Sequence, residues 1–86
     1  MNHRLTRMTA LREYLSRMHE SSERFEGGGA VLRGPAGYLS GFPSLFSPDL
    51  KRAFCFKNVA QAGEVKLQFP DLLAEYQVVL PAKDGQ

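Results

Sequence analysis

Residues of the types that catalysis and metal binding use most are few in this chain and far apart. The 86 residues include one cysteine, Cys55, and two histidines, His3 and His19. On a straight helix the two histidines would be about 24 Å apart, too far to share a metal ion. A cysteine nucleophile works with a nearby base that lowers its pKa, and no histidine follows His19. We therefore expect a chain that is not an enzyme and holds no metal and no cofactor.

Aromatic residues interleaved with basic ones form a candidate nucleic-acid site at residues 52–59. This segment resembles the RNP1 strand of the RNA recognition motif family, in which aromatic side chains stack on bases. Arg52, Phe54 and Phe56 match that pattern, whereas the positions of its glycine, its aliphatic residue and its last aromatic residue depart from it. The resemblance implies nucleic-acid binding, for which further cations are available at Arg4, Arg7, Arg12, Arg17, Lys51 and Lys57.

The composition favours a small globular domain and limits its partners. The chain is 43% hydrophobic and 23% charged, with 11 basic and 9 acidic residues and a net charge of +2 at pH 7. This balance is typical of folded domains and is too even to predict a nucleic-acid partner from charge alone. No stretch approaches the roughly 18 apolar residues of a membrane span, and no apolar signal segment is evident. With a single cysteine no internal disulfide is possible, so the sequence predicts a cytoplasmic protein without a membrane partner.

Residues 1–26 predict one long amphipathic helix. The glycine run at 27–29 ends it, since consecutive glycines disfavour a helix and permit a left-handed cap. Basic residues dominate its first half and acidic residues its second half, the reverse of what the helix dipole favours. This inverted pattern indicates that another surface uses the charges. The apolar side chains recur at helical spacing on one stripe, at Leu5, Met8, Leu11, Leu15, Met18 and Phe25.

The simplest such surface is a second copy of the same helix. In an antiparallel pair, the arginines near the start of one helix lie beside the glutamates near the end of the other, over a short coiled-coil seam. The alternative is that the stripe packs on the chain's own sheet, and the two can hold together. The residues expected in this homodimer are Arg7, Met8, Leu11, Arg12, Leu15, Met18, Glu20 and Glu23.

After the glycine run the apolar period changes to two, which is typical of strands. The sequence Gly34-Pro35-Ala36-Gly37 predicts a turn, so a hairpin is expected around it. Alternating segments at 54–59, 64–69 and 74–80 predict three further strands, each with one apolar and one polar face.

These elements are expected to assemble into a single domain of residues 1–86. We predict an α+β fold in which the long N-terminal helix packs on an antiparallel β-meander of four to five strands within residues 30–80. Residues 81–86 are polar and without pattern, so we expect a frayed tail.

The connection at 41–50 is unusual because it is apolar and contains prolines. Connections are normally polar, yet this one carries Phe42, Leu45 and Phe46. Prolines restrict a loop before binding, and large aromatic side chains dominate interface energetics. We therefore predict that Phe42, Leu45 and Phe46 bind a partner protein. The alternative is that they fold over the edge of the sheet as a satellite core.

Together these features predict a small non-enzymatic protein-binding module, dimeric through its helix. Such a module acts as a regulator, an inhibitor or an assembly adaptor by occupying a partner protein's surface. The alternative function is nucleic-acid binding through the N-terminal arginines and the strand from Arg52 to Lys57.

Overall fold

A computed structural model of the chain describes residues 3–22, 28–41 and 44–81. It is an α+β fold in which helices pack on an antiparallel four-stranded sheet, as the sequence predicts. In chain order the elements are α1 (His3–Ser16), β1 (Val31–Gly34), β2 (Gly37–Leu39), β3 (Phe46–Ser47), a 3-10 turn (Leu50–Arg52), α2 (Val59–Gln68), α3 (Pro70–Leu73) and β4 (Gln77–Val79).

The hairpin predicted around Pro35 and Ala36 is confirmed. These residues form the turn between β1 and β2, and Gly34 pairs with Gly37 across it. Gly37 has a φ of +103°, a left-handed conformation that glycine adopts without steric cost. A Cβ atom on Gly37 would lie 2.5 Å from the Ser47 carbonyl oxygen, so β3 packs this closely only because Gly37 has no side chain.

Strand β4 extends the sheet on the other side of β1, which gives the strand order β3-β2-β1-β4. The predicted meander is therefore wrong, because β4 crosses back to pair with β1 instead of following β3. Val31 pairs with Val79 in antiparallel register. The strand predicted at 74–80 is thus present only as β4. It begins late because the Tyr76 amide still donates a hydrogen bond to the Leu73 carbonyl at 3.0 Å, in the turn that follows α3.

The strand predicted at 64–69 is wrong, because these residues lie in α2 and at its end. Val65 and Phe69 are buried, as predicted, but Leu67 is 80% exposed, whereas the strand pattern places all three on one face. Val65 and Phe69 are four residues apart and therefore share a helical face. An alternating pattern over so few residues is compatible with a strand and with a helix. The chain forms the helix, which places Val65 and Phe69 in the core.

The strand predicted at 54–59 is also wrong. Only Phe56 forms a β-bridge, with Ala30. The chain then turns into α2, since the Asn58 side chain caps this helix by accepting a hydrogen bond from the Gln61 amide at 2.8 Å. This cap is a local helix-start signal that competes with the alternating apolar pattern.

Helix α1 ends at Ser16, well before the predicted end of the N-terminal helix. Its last turn is tightened by hydrogen bonds between residues three apart, the final one being from the Met18 amide at 3.0 Å. The Ser21 amide then donates to the Cys55 carbonyl at 2.8 Å. The chain after α1 therefore leaves the helical path and runs beside Cys55. Residues 23–26 lie outside the described residues.

The early end of α1 changes the meaning of the inverted charge pattern. Arg7 and Arg12 lie in the helix, but Glu20 follows it in an irregular segment, and Glu23 and Glu26 are outside the described residues. The prediction that Glu20 lies in the helix is therefore wrong, so its charge is not part of the C-terminal turn of α1.

One core joins α1 to the sheet and to α2. Leu11 and Leu15 of α1 are 0% and 2% exposed, and they belong to the same buried cluster as Leu32 and Leu39 of the hairpin. The N-terminal helix thus shares one core with the sheet, although the element it packs beside most closely is α3 rather than a strand. Each fully buried leucine contributes about 1.5–3 kcal/mol to the free energy of unfolding, so this stripe attaches α1 firmly.

Arg7 adds a polar attachment between α1 and the corner formed by α2 and α3. Its Nε lies 3.2 Å from Oδ2 of Asp71, and its Nη2 donates to Oδ1 of Asp71 at 3.3 Å and to the Gln68 carbonyl at 2.9 Å. The guanidinium also stands 4.7 Å from the centre of the Phe69 ring. Arg7 is therefore engaged within its own chain.

Tyr76 packs so closely on Gly34 that we expect only glycine to fit at position 34 without strain. A Cβ atom on Gly34 would lie 2.6 Å from the Tyr76 ring, whereas one on Gly63 of α2 would meet nothing within 4 Å. We expect Gly34→Ala to lower the free energy of unfolding by about 1–3 kcal/mol through overpacking. The matched control Gly63→Ala should raise it by about 0.5–1 kcal/mol, because alanine favours a helix over glycine. Urea unfolding measures both, and equal effects would contradict the Tyr76 contact.

The pair of Arg7 and Asp71 predicts a loss of stability in acid. The hydrogen bond from Arg7 lowers the pKa of Asp71 below its ordinary value. Because the folded state favours the charged carboxyl, its contribution is present at neutral pH and is lost as the pH falls through the lowered pKa. Asp71→Asn should therefore melt below the wild type at pH 7, and the difference should shrink toward zero in strong acid. Glu64→Gln, at an exposed carboxyl of α2, is the control for removing one negative charge.

Candidate anion-binding cleft

A cleft with a volume of about 270 Å³ opens between the C-terminal half of α1 and the residues that flank the 3-10 turn. Two arginines, Arg12 and Arg52, line it together with the apolar side chains of Leu15, Met18 and Phe54. Leu15 and Phe54 are buried members of the core, and Met18 packs against it. The cleft thus combines two cations with an apolar, fixed lining.

Local structure explains how the two arginines come to line the same cleft. Arg12 is exposed on α1 because its neighbour Leu11 points into the core. Arg52 is the last residue of the 3-10 turn, whose start is capped by Asp49 Oδ1 accepting from the Lys51 amide at 2.9 Å. The Ser40 hydroxyl donates to the Arg52 carbonyl at 2.7 Å and fixes the end of this turn beside the cleft.

The guanidinium groups of Arg12 and Arg52 are not used within the described part of the chain. The salt bridge found among residues 3–22, 28–41 and 44–81 is the one between Arg7 and Asp71. No side-chain hydrogen bond or ring contact of Arg12 or Arg52 is present there. A planar guanidinium presents several donors and pairs well with carboxylate or phosphate oxygens. The arrangement therefore suits an anionic group.

One acidic residue, Glu20, also lines the cleft. Its carboxylate accepts a long hydrogen bond of 3.4 Å from the Cys55 amide, which holds the side chain near the edge of the cleft. Its charge offsets part of the positive potential of Arg12 and Arg52. The cleft therefore favours an anion that approaches the arginines on the side away from Glu20.

The structure places the residues predicted to form the homodimer in different environments. Leu11 and Leu15 lie in the chain's own core, and Met8 and Met18 pack against it, as the alternative interpretation of the stripe requires. Arg7 pairs with Asp71.

The charged residues of the predicted dimer are also separated. Arg12 is exposed on α1 and lines the cleft, whereas Glu20 lies beyond the end of the helix. Glu23 is outside the described residues. A second copy that docked on α1 would therefore meet a polar surface that includes Arg12, Glu13 and Arg17, which are all exposed.

The apolar residues predicted to bind a partner lie mostly against the core. Leu45 is buried, and Phe46 packs against the core and stacks on Tyr76 with 5.4 Å between ring centres. Leu45 thus belongs to the main core and Phe46 packs against it, so these two residues do not form a separate satellite core. Phe42 is outside the described residues.

The aromatic residues that resemble an RNP1 strand are not available for stacking on bases. Phe54 is 7% exposed and Phe56 is 0% exposed, and their rings contact each other with 4.9 Å between centres. Base stacking requires exposed rings on a sheet face. Of this segment, Arg52 and Lys57 keep exposed side chains.

The described residues contain neither a candidate metal site nor a helix suited to a membrane span. Within residues 3–22, 28–41 and 44–81, no group of three or more His, Cys, Asp or Glu side chains is placed to hold a metal ion. In the same ranges, no helix has both the length and the apolar character needed to cross a membrane.

Comparison with known proteins adds no relative. No protein-family model, no curated protein and no solved structure matches the chain. The function is therefore argued from the geometry of the chain itself.

Only part of the cleft could be predicted from the sequence. The sequence identifies Arg12 and Arg52 as cations of the alternative nucleic-acid site, but nothing in their spacing shows that they meet in one cleft. It associates Ser40 with no site, and Phe54 only with the segment that resembles an RNP1 strand. The available local signal was the short helix start near Asp49, which positions Arg52 but not its distance from α1.

Proposed function

We propose that the chain is a small non-enzymatic protein-binding module that holds an acidic segment of a partner protein in the cleft between Arg12 and Arg52. The observation that carries this proposal is that Arg12 and Arg52 line one cleft and that neither forms an ion pair within the described residues. An acidic side chain is the simplest protein group that pairs with them.

The apolar lining supports a protein partner over a small free anion. Met18 is half-buried and gives a bound peptide an apolar contact above the buried Leu15 and Phe54, and such contacts accompany the charged ones at protein interfaces. The lining is part of the core, so little conformational freedom is lost on binding there.

A module of this kind works by occupying a partner's acidic surface, as a regulator, an inhibitor or an assembly adaptor does. Its exposed ion pairs are individually weak, about 0.2–1 kcal/mol each, so they provide selectivity and a salt-dependent association rate rather than very high affinity. We further propose a cytoplasmic location, since the single cysteine is buried and forms no disulfide.

The acidic-segment proposal predicts charge-specific peptide binding. A fluorescent peptide Gly-Glu-Glu-Gly-Leu-Gly-Gln-Gln-Gly should bind the protein, and its version with all glutamates replaced by glutamine should not. Arg12→Gln and Arg52→Gln should each weaken binding roughly three- to fivefold, the effect of losing one exposed ion pair.

The control for this experiment is Arg33→Gln, because Arg33 lines a different cleft and the substitution removes the same charge. Binding is measured by fluorescence anisotropy at low and physiological ionic strength. Equal losses in Arg12→Gln, Arg52→Gln and Arg33→Gln would show that net charge alone attracts the peptide, and the proposed site would be withdrawn.

Nucleic-acid binding is the second candidate, favoured by the exposed cations Arg17 and Lys57 near the same face of the chain. With so few cations we expect only weak non-specific binding to single strands or duplexes at physiological salt, with a Kd of ~10⁻⁴ to 10⁻⁶ M. Sub-micromolar and sequence-dependent binding in the same anisotropy assay would reverse the order of the two candidates.

The helix-mediated homodimer stays a prediction, and light scattering tests it. A dimer at micromolar concentration would give about twice the chain mass of 9.6 kDa. Because Leu11 and Leu15 are buried in the core, the contact would use the polar side of α1, and Arg12→Glu should weaken it. Arg7 is unsuitable for this test, since its reversal would also break the pair with Asp71. A mass of one chain at all concentrations would retire the homodimer.

A further inference from the structure

A second cleft, with a volume of about 560 Å³, adjoins the first. The two clefts share Met18 and Glu20, which stand at their junction. Arg17, Lys57 and Gln61 are among the other residues that line the second cleft. The two clefts therefore adjoin at Met18 and Glu20, and among the described residues a pair of arginine or lysine side chains lines each of them.

The cations of the second cleft resemble those of the first in their surroundings. Arg17 and Lys57 are exposed, and neither side chain forms an ion pair or hydrogen bond within residues 3–22, 28–41 and 44–81. The backbone at Lys57 is held in place, because its amide donates to Oε1 of Gln61 at 2.7 Å. The second pair of cations is thus presented from a fixed chain and not from a loose loop.

We propose that the two clefts form one groove that binds an extended peptide with two acidic clusters and an apolar residue between them. This inference rests on the proposed function and extends it to the second cleft. One acidic cluster pairs with Arg12 and Arg52, the other with Arg17 and Lys57, and the apolar residue lies over Met18 at the junction.

The spacing of the clusters follows from the geometry of α1. Arg12 lies in α1 and Arg17 directly follows its last residue, so five steps of about 1.5–2 Å separate them by about 8–10 Å. An extended peptide advances about 3.3 Å per residue, so about one to two residues between the acidic clusters match this separation at the backbone, and the reach of the long arginine side chains accommodates a third. This spacing distinguishes the groove's ligand from a continuous acidic run.

The junction favours a peptide over a nucleic-acid strand. A strand with a phosphate at every nucleotide would bring negative charge against Glu20, whereas a peptide places an uncharged residue there. Single-stranded nucleic acids are also held by exposed aromatic rings. Of the aromatic rings in the described lining, Phe54 is buried in the core and His19 is exposed, so the groove offers one ring and not the row of rings on which successive bases stack.

The test compares three fluorescent peptides of equal length on the whole protein. The first, Gly-Glu-Glu-Gly-Leu-Gly-Gln-Gln-Gly, has one acidic pair. The second, Gly-Glu-Glu-Gly-Leu-Gly-Glu-Glu-Gly, has two spaced pairs. The third, Gly-Gly-Leu-Glu-Glu-Glu-Glu-Gly-Gly, has the same charge as the second in one run. We expect the second to bind roughly five- to tenfold more tightly than the first, as two more exposed ion pairs would give, and more tightly than the third.

Substitutions assign this gain to the second cleft. The double variant Arg17→Gln with Lys57→Gln should bind the second peptide only as tightly as the first and should leave binding of the first unchanged. Glu20→Gln should strengthen binding of the second peptide, because it removes the negative charge at the junction. Arg33→Gln is again the control for net charge, and thermal melting verifies that each variant is folded.

Amide chemical shifts of the wild type supply a measurement that needs no variant. The second peptide should shift the amides of Arg17, Met18 and Lys57, and the first peptide should shift these less than the amides near Arg12 and Arg52.

The outcomes distinguish a failure of the two-cluster groove from a failure of the proposed function. If the first peptide binds and the second or third adds nothing beyond the effect of charge, the two-cluster groove is overturned while the proposed function stands. If none of the peptides binds, the proposed function falls, and the groove falls with it. A thymidine oligonucleotide that binds more tightly than the second peptide at the same salt concentration would also overturn the groove, in favour of a nucleic-acid strand.

Discussion

The extended segment from Phe54 to Phe56 holds three distant parts of the chain together through its backbone. The Phe54 amide donates to the Leu39 carbonyl at 2.8 Å, which attaches the segment to β2. Phe56 exchanges hydrogen bonds of 2.6 and 3.0 Å with Ala30, just before β1. Between them, the Cys55 carbonyl accepts from Ser21 in the chain that leaves α1. Because buried backbone groups are costly to leave unpaired, these bonds fix the hairpin, the exit of α1 and this segment relative to one another.

The candidate cleft is a consequence of that arrangement. Arg52 lies just before the segment and Arg12 lies on α1, so the attachment of both to one frame brings their side chains to one opening. The buried leucines of α1 set which side of the helix turns outward, and Arg12 is on the outward side. Arg7 is on a side that meets α3, where Asp71 neutralises it. Similar arginines on one helix thus acquire different roles through their position.

The sequence predicted those features of the fold that depend on adjacent residues. The turn at Pro35 and Ala36 needs only its own residues and a flanking glycine, and it is present with the predicted hairpin. The apolar stripe of α1 identified the residues that enter the core, including Leu11 and Leu15. The same stripe did not identify the end of the helix, because the bond from Ser21 to Cys55 joins residues that are far apart in sequence. Of the candidate cleft, only the charged residue types were predictable.

The sequence by itself therefore determined the α+β class, the hairpin turn and the apolar side of α1, since each is encoded in a short run of neighbouring residues. The tertiary structure decided that the segment containing Val65 and Phe69 is helical, because its alternating pattern suited a strand as well, and burial in the core reinforces the helix start that the Asn58 cap marks locally. It also decided that Arg12 and Arg52 share a cleft. Local propensities are about 1 kcal/mol or less per residue, whereas burial and long-range hydrogen bonds act together over many residues and outweigh them.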